Sequence, residues 1–177
     1  VDAGAPKGGG GDPLAEVAPA VPQDWPMGTP DKIVRIQRQN IPAKSSQAEV
    51  PYRYLVVSNP FTTNVWLKAA VVRPGNRKVV HHALIFTGTS FADVLQVQAG
   101  LGGFFAGYVP GMEQREYPVG TGKFLKKGSF IVFQMHYTPV ETAETDATEI
   151  GLYLMAGPPE RELKTGAAYT IDLSIPP

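Results

Sequence analysis

From Asp31 onward the chain is a succession of short runs rich in β-branched and aromatic residues, each closed by turn chemistry, which leaves little room for helices. Ile33 to Gln37, Tyr52 to Val57, Trp66 to Val72 and Val79 to Phe86 read as strands. So do Ser129 to Tyr137, Glu149 to Met155 and Tyr169 to Ile175. Pro74-Gly75-Asn76 stops the third run, and Lys123-Phe124-Leu125 leads through Lys127-Gly128 into the Ser129 run. Strands at this spacing predict an all-β fold, a single antiparallel β-sandwich domain of jelly-roll-like kind. Composition agrees: 19 Gly and 17 Pro punctuate the chain, and charged residues make up only 18% of it. The longest gap, residues 87–122, holds Asp93 to Val97, which fits a helix or a strand, and the glycine-containing run Phe104 to Met112. A connection of that length inside a compact domain is usually functional or has local structure of its own.

Residues 1–30 follow another rule. They contain six Pro and six Gly, including the run Gly8 to Gly11, without a sustained apolar period. Such a stretch cannot bury enough surface to offset its own ordering entropy. The expected organisation is therefore a flexible Pro/Gly-rich linker over 1–30 and a sandwich domain over 31–177, with Trp25 placed to pin the linker's end onto the folded body. The glycine run precedes no strand–helix unit that could cradle a phosphate.

Charge and cysteine content exclude several functions. Sixteen basic and 16 acidic residues cancel, so no global field draws nucleic acid or an anionic membrane. No apolar run approaches the roughly 20 residues of a membrane helix. Neither nucleic acid nor membrane is expected as a partner. With no cysteine, disulfides, zinc ribbons, iron–sulfur ligation and thiolate catalysis are all ruled out within these residues.

The three histidines, His81, His82 and His136, all fall in two of the apolar runs. Imidazoles in such strands are desolvated, which favours the neutral form that a metal requires. Leaving their ring nitrogens unpaired would cost about 1–3 kcal/mol each. Geometry raises an objection, however. Neighbours on a strand point to opposite faces, so His81 and His82 can reach one ion together with His136 only if the strand twists, bulges or ends there. Spacing alone leaves three readings open. The histidines could hold a redox metal. They could hold a zinc that activates water for hydrolysis, although no acidic residue adjoins either segment to serve as a base. Or they could be incidental residues of a structural or adhesive sandwich.

Longer motifs separate these readings. Val80-His81-His82-Ala83-Leu84-Ile85-Phe86, followed some fifty residues later by Phe133-Gln134-Met135-His136-Tyr137, resembles the paired-histidine and His-Tyr segments of the copper type II, ascorbate-dependent monooxygenases (the peptidylglycine α-hydroxylating and dopamine β-monooxygenase family). The likeness is to the family's N-terminal domain. Arg73-Pro74-Gly75-Asn76, Ala106-Gly107-Tyr108-Val109-Pro110-Gly111 and His136-Tyr137-Thr138-Pro139 before Asp146 are similar to runs in bacterial members. The resemblance extends from about Trp25 to the C-terminus. It implies that His81, His82 and His136 bind one copper ion that relays electrons from ascorbate or another reductant. It also implies a periplasmic or extracellular location for an exported bacterial protein.

The chain departs from the family in one decisive respect. The hydroxylating copper of the family uses a His-x-His pair and a methionine in a second domain, and no fourth histidine exists here. Met135, next to His136, is expected on the opposite face, and Met155 in a strand core. Met27 and Met112 fall in loops, Met112 being the one weighed as a distant axial ligand. Gln134 and Thr138 read as same-face strand neighbours of His136. The chain by itself is thus expected to hydroxylate nothing. Ile175-Pro176-Pro177 ends where the bacterial relatives cross into their second copper domain, which is the expected downstream partner. Val1 to Pro6 resembles either the tail of an upstream cytochrome-c-like domain or a generic linker.

Overall fold

The computed structural model describes residues 25–45, 50–90, 103–112 and 115–165, together with 92, 93 and 95. Its strands are β1 (Lys32–Arg35), β2 (Gln39–Ile41), β3 (Arg53–Ser58), β4 (Val65–Arg73), β5 (Val80–Gly88), β6 (Phe104–Tyr108), β7 (Thr121–Leu125), β8 (Phe130–Tyr137), β9 (Glu144–Asp146), β10 (Glu149–Leu154) and β11 (Arg161–Glu162). They form a five-stranded sheet in the order β1-β10-β4-β7-β11, a four-stranded sheet in the order β3-β8-β5-β6, and a β2-β9 pair. Every pairing is antiparallel except the short β7–β11 contact. The expected all-β antiparallel sandwich is the fold.

The two larger sheets enclose one core. Leu67, Val72, Leu125, Ile150 and Leu152 of the first meet Ala83, Ile85, Ile131, Phe133, Met135 and Tyr137 of the second. Burying a side chain such as Leu67, Ile85 or Phe133 stabilises the fold by about 1.5–3 kcal/mol. The alternation that β8 requires is plain in its sequence, with Ile131, Phe133, Met135 and Tyr137 inward and the residues between them outward.

The outer face of the five-stranded sheet is covered by the segment before β1. Trp25 and Met27 pack on Ala69, Val71 and Tyr153. The Tyr153 hydroxyl donates to the Gly28 carbonyl at 2.8 Å. Gly151 makes this possible, because a Cβ there would stand 2.7 Å from the Trp25 ring. Trp25 thus pins this segment to the body as its position suggested.

Several expectations need their limits moved. The run ending at Met155 stops as a strand at Leu154, and Met155 is half-buried at the strand's end. In the ambiguous Asp93 to Val97 run, the described residues Asp93 and Leu95 are helical. The expected strand Tyr169 to Ile175 and nearly all of the 1–30 linker lie outside the described residues. Among the described residues no helix is long and apolar enough to cross a membrane.

Candidate metal centre

Burial along β5 shows how two adjacent histidines come to share a face. Ala83 and Ile85 belong to the core, and so does Val80, three positions before Ala83. A regular strand sends residues to one face at even separations only, so one residue too many lies between Val80 and Ala83. The pairing with β8 locates it. Val80 stands opposite Tyr137 and His82 opposite His136, which leaves His81 as the extra residue. This β-bulge sets two residues of one strand against one of its neighbour. It removes the geometric objection to a shared site.

All three rings gather on the outer face of the four-stranded sheet. Their centroids are 5.3 Å apart for His81 and His82, 5.0 Å for His81 and His136, and 4.9 Å for His82 and His136. The Nδ1 atoms of His81 and His82 are 3.0 Å apart, so one carries a proton and the other accepts. One ring nitrogen from each residue lies within 4.8 Å of the others, and the group can hold a metal ion. Two ligands across an ion at about 2.0–2.1 Å stand about 4 Å apart, so small side-chain rotations suffice. The His136 Nδ1 is buried and has no hydrogen-bond partner. A buried acceptor or donor left in this state is uncommon in a settled structural role.

Burial works against a positive charge on two of the three rings. Burial holds the His82 imidazole below its ordinary 6.5, helped by the nearby charges of His136 and His81. His136 is lowered for the same reasons, burial first and then His81. Among the described residues no carboxylate joins the group.

Tyr52, just before β3, supplies a floor. Its ring stacks on His136, with centroids 4.6 Å apart and planes 16° from parallel, and it tilts against His82 at 5.6 Å. A groove of about 620 Å³ runs beside His136, between Val50, Pro51 and Tyr52 on one side and Thr138 and Pro139 on the other. Of the three histidines, His136 lines it.

Gln134 shares the face of His136 as the sequence suggested, whereas Thr138 lies beyond the end of β8. Met135 is fully buried in the core. Gln134 donates to the Tyr54 hydroxyl at 2.8 Å. Met112 lines a different cleft, against β6. Tyr52 was not singled out by its sequence, because only the pairing of Arg53 with Met135 brings it beside His136. The alternation Tyr52, Tyr54, Val56 was the available signal, and it marks a shared face without saying what lies across from it. Comparison with protein families, with curated proteins and with solved structures finds no match to this chain.

Proposed function

We propose that this chain is a mononuclear copper domain in which His81, His82 and His136 hold one electron-transfer copper. The observation that carries the reading is the bulge at His81, which turns two successive histidines toward a third whose buried Nδ1 has no partner. The donor set fits the ion. Three neutral imidazoles suit copper, whose affinity for nitrogen sites exceeds that of zinc in the usual order of divalent metals. Bound there, copper supplies one-electron chemistry between Cu(I) and Cu(II), with ascorbate or another reductant as the donor.

The chain's own residues do the preparatory work. The three Nδ1 atoms are the natural ligand atoms, since two already face each other and the third is unpaired. Seating a cation between His81 and His82 requires both Nδ1 atoms bare, so the proton they share moves to a ring Nε2. Depressed pKa values at His82 and His136 keep protons from competing at neutral pH. Tyr52 limits rotation of the His136 ring. The motif resemblance favours copper and a role in a bacterial monooxygenase, with periplasmic or extracellular location and a downstream copper domain. The absence of a fourth histidine restricts the role to electron delivery.

The test is metal competition. The purified protein is offered Cu(II) and Zn(II) together, and bound metal, the copper EPR signal and reduction by ascorbate are measured. The expected result is one copper per chain, reducible by ascorbate and lost in His136→Ala. Stoichiometric zinc held against copper would instead support a hydrolytic zinc site. No bound metal in the parent protein would make the histidines structural.

A further inference from the structure

Away from the histidines, a cleft of about 460 Å³ opens between the sheets where β6 faces β4 and β7. Its walls are mostly apolar, with Leu84, Ala106 and Val109 among them; its polar lining is Tyr108, the exposed Arg115, which has an interaction of its own, and two groups with donors unspent, Lys123 and Tyr117. Neither has a place in the proposed metal chemistry.

Lys123 is 7% exposed, and no carboxylate pairs with it among the described residues. Its ammonium donates to the Phe105 carbonyl and to the Thr165 hydroxyl. An ammonium has three N–H donors, so one remains. The rings of Phe105, Tyr117 and Phe104 stand 5.4, 5.7 and 5.8 Å from its nitrogen, which softens the charge without neutralising it. Burial holds its pKa below the ordinary 10.5. A charge buried without a counter-ion is costly, and lysines are rarely left so.

Tyr117 adds a second, independent observation. Its hydroxyl oxygen is buried and has no hydrogen-bond partner. The Ala70 amide lies close enough to act on it electrostatically but does not reach hydrogen-bond geometry. Two unused donors, one of them cationic, therefore sit at one apolar cleft. Their sum matches a group with two acceptor oxygens and one negative charge.

We propose that this cleft binds a small carboxylic acid with an apolar body, its carboxylate held by Lys123 Nζ and Tyr117 Oη and its hydrocarbon against Leu84, Ala106 and Val109. A neutral alcohol of the same shape can accept from both donors but brings no negative charge to the ammonium.

The experiment compares 4-phenylbutyrate with 4-phenyl-1-butanol on the full chain, by calorimetry and by NMR shifts of the β6 and β7 amides. The acid is expected to bind saturably at pH 7, at least about tenfold more tightly than the alcohol, as hydrogen bonds to a charged group allow. Its affinity should fall as pH rises through the lowered pKa of Lys123. Lys123→Met should erase the preference for the acid. Tyr117→Phe, which keeps the ring and removes only the hydroxyl, should weaken the acid about three- to tenfold and the alcohol less. Should Lys123→Met fail to fold, the Tyr117→Phe result and the pH profile still decide. Equal binding of acid and alcohol, no saturable binding of the acid, or unchanged acid affinity in Tyr117→Phe would overturn the proposal.

Discussion

Around Glu149 each charge meets its opposite, whereas around His136 three rings of one kind meet one another. Glu149 opens β10 and stands in register between Arg35 of β1 and Arg73 of β4. One carboxylate oxygen accepts from the Arg35 guanidinium and the other from that of Arg73. Arg73 in turn lies 4.2 Å from the centre of the Trp25 ring. Nearby, Asp146 accepts from the Asn76 amide at 2.9 Å, the Tyr137 hydroxyl at 3.0 Å and the Thr148 hydroxyl at 2.9 Å. These carboxylates find their partners within the fold. The histidine cluster shares one proton between two Nδ1 atoms and leaves the third without a partner. A closed cluster ties strands together, while an open one leaves donor atoms that could hold a ligand.

The largest effect should come from opening the closed cluster. Glu149→Ala leaves two guanidinium groups side by side, and removing one member of a buried ion pair costs about 3–5 kcal/mol. Arg35 is well exposed and can regain water, which sets the expected loss at the lower end, about 3 kcal/mol by urea unfolding. A loss under about 1 kcal/mol, the range of surface pairs, would show that the cluster is not closed in the sense argued. The pH dependence carries a sign. Burial pushes the Glu149 carboxyl up, but the hydrogen bonds and charges of Arg73 and Arg35 outweigh it and hold it below 4.5. Its contribution is therefore complete above 4.5 and lost as pH falls through the lower folded value, and Glu149→Ala should flatten that acid limb.

Filling the open cluster should have the opposite effect. Copper at a hundredfold excess over its dissociation constant would raise stability by about 2.7 kcal/mol. Calorimetric scans with and without the ion read this directly. His136→Ala should erase the gain, while its metal-free form unfolds within about 1 kcal/mol of the parent, because the imidazole has no hydrogen bond to lose at Nδ1. A metal-free His136→Ala protein that unfolds far more easily would place His136 among the structural residues and remove the contrast between the clusters.

How far the two clusters could be read in advance differs for physical reasons. The core strands were legible because β4, β5, β8 and β10 are apolar runs bounded by turn residues. The strands β2 and β9 were not, since Gln39–Ile41 and Glu144–Asp146 are short and largely polar and become strands only by pairing with each other. That pairing also positions Asp146 for its network. The three histidines could be named as candidate ligands from residue type and motif, but their convergence could not. Val79-Val80 and Ala83-Leu84-Ile85-Phe86 are apolar at every position, so the change of phase at His81 leaves no trace in the pattern. Tyr52, Lys123 and Tyr117 acquire meaning only through partners distant in sequence.

Acid should weaken the metal-free protein through the open cluster as well, over a higher pH window. His82 and His136 are held below 6.5 in the fold, so the unfolded chain takes up protons first. Stability is then level above 6.5 and declines as pH falls from 6.5 toward the folded values. Unfolding at pH 7.5 and 5.5 should show this decline in the parent and a shallower one in His136→Ala. Equal slopes in the two proteins would mean that His136 titrates as freely in the fold as outside it.

The smallest effect tests whether Tyr52 belongs to the site or only covers it. Its ring is half exposed, and an aromatic stack is worth about 0.5–1.5 kcal/mol, so Tyr52→Ala should cost about 0.5 kcal/mol of stability. Tyr52→Phe keeps the stack and should cost almost nothing. The sharper measurement is copper affinity. If the ring holds His136 in orientation, Tyr52→Ala weakens copper about tenfold, the lower end for loss of a group supporting a metal ligand, and Tyr52→Phe restores it. Equal copper affinity in the parent, Tyr52→Ala and Tyr52→Phe would leave the bulge alone to organise the open cluster, with the ring a cover and nothing more.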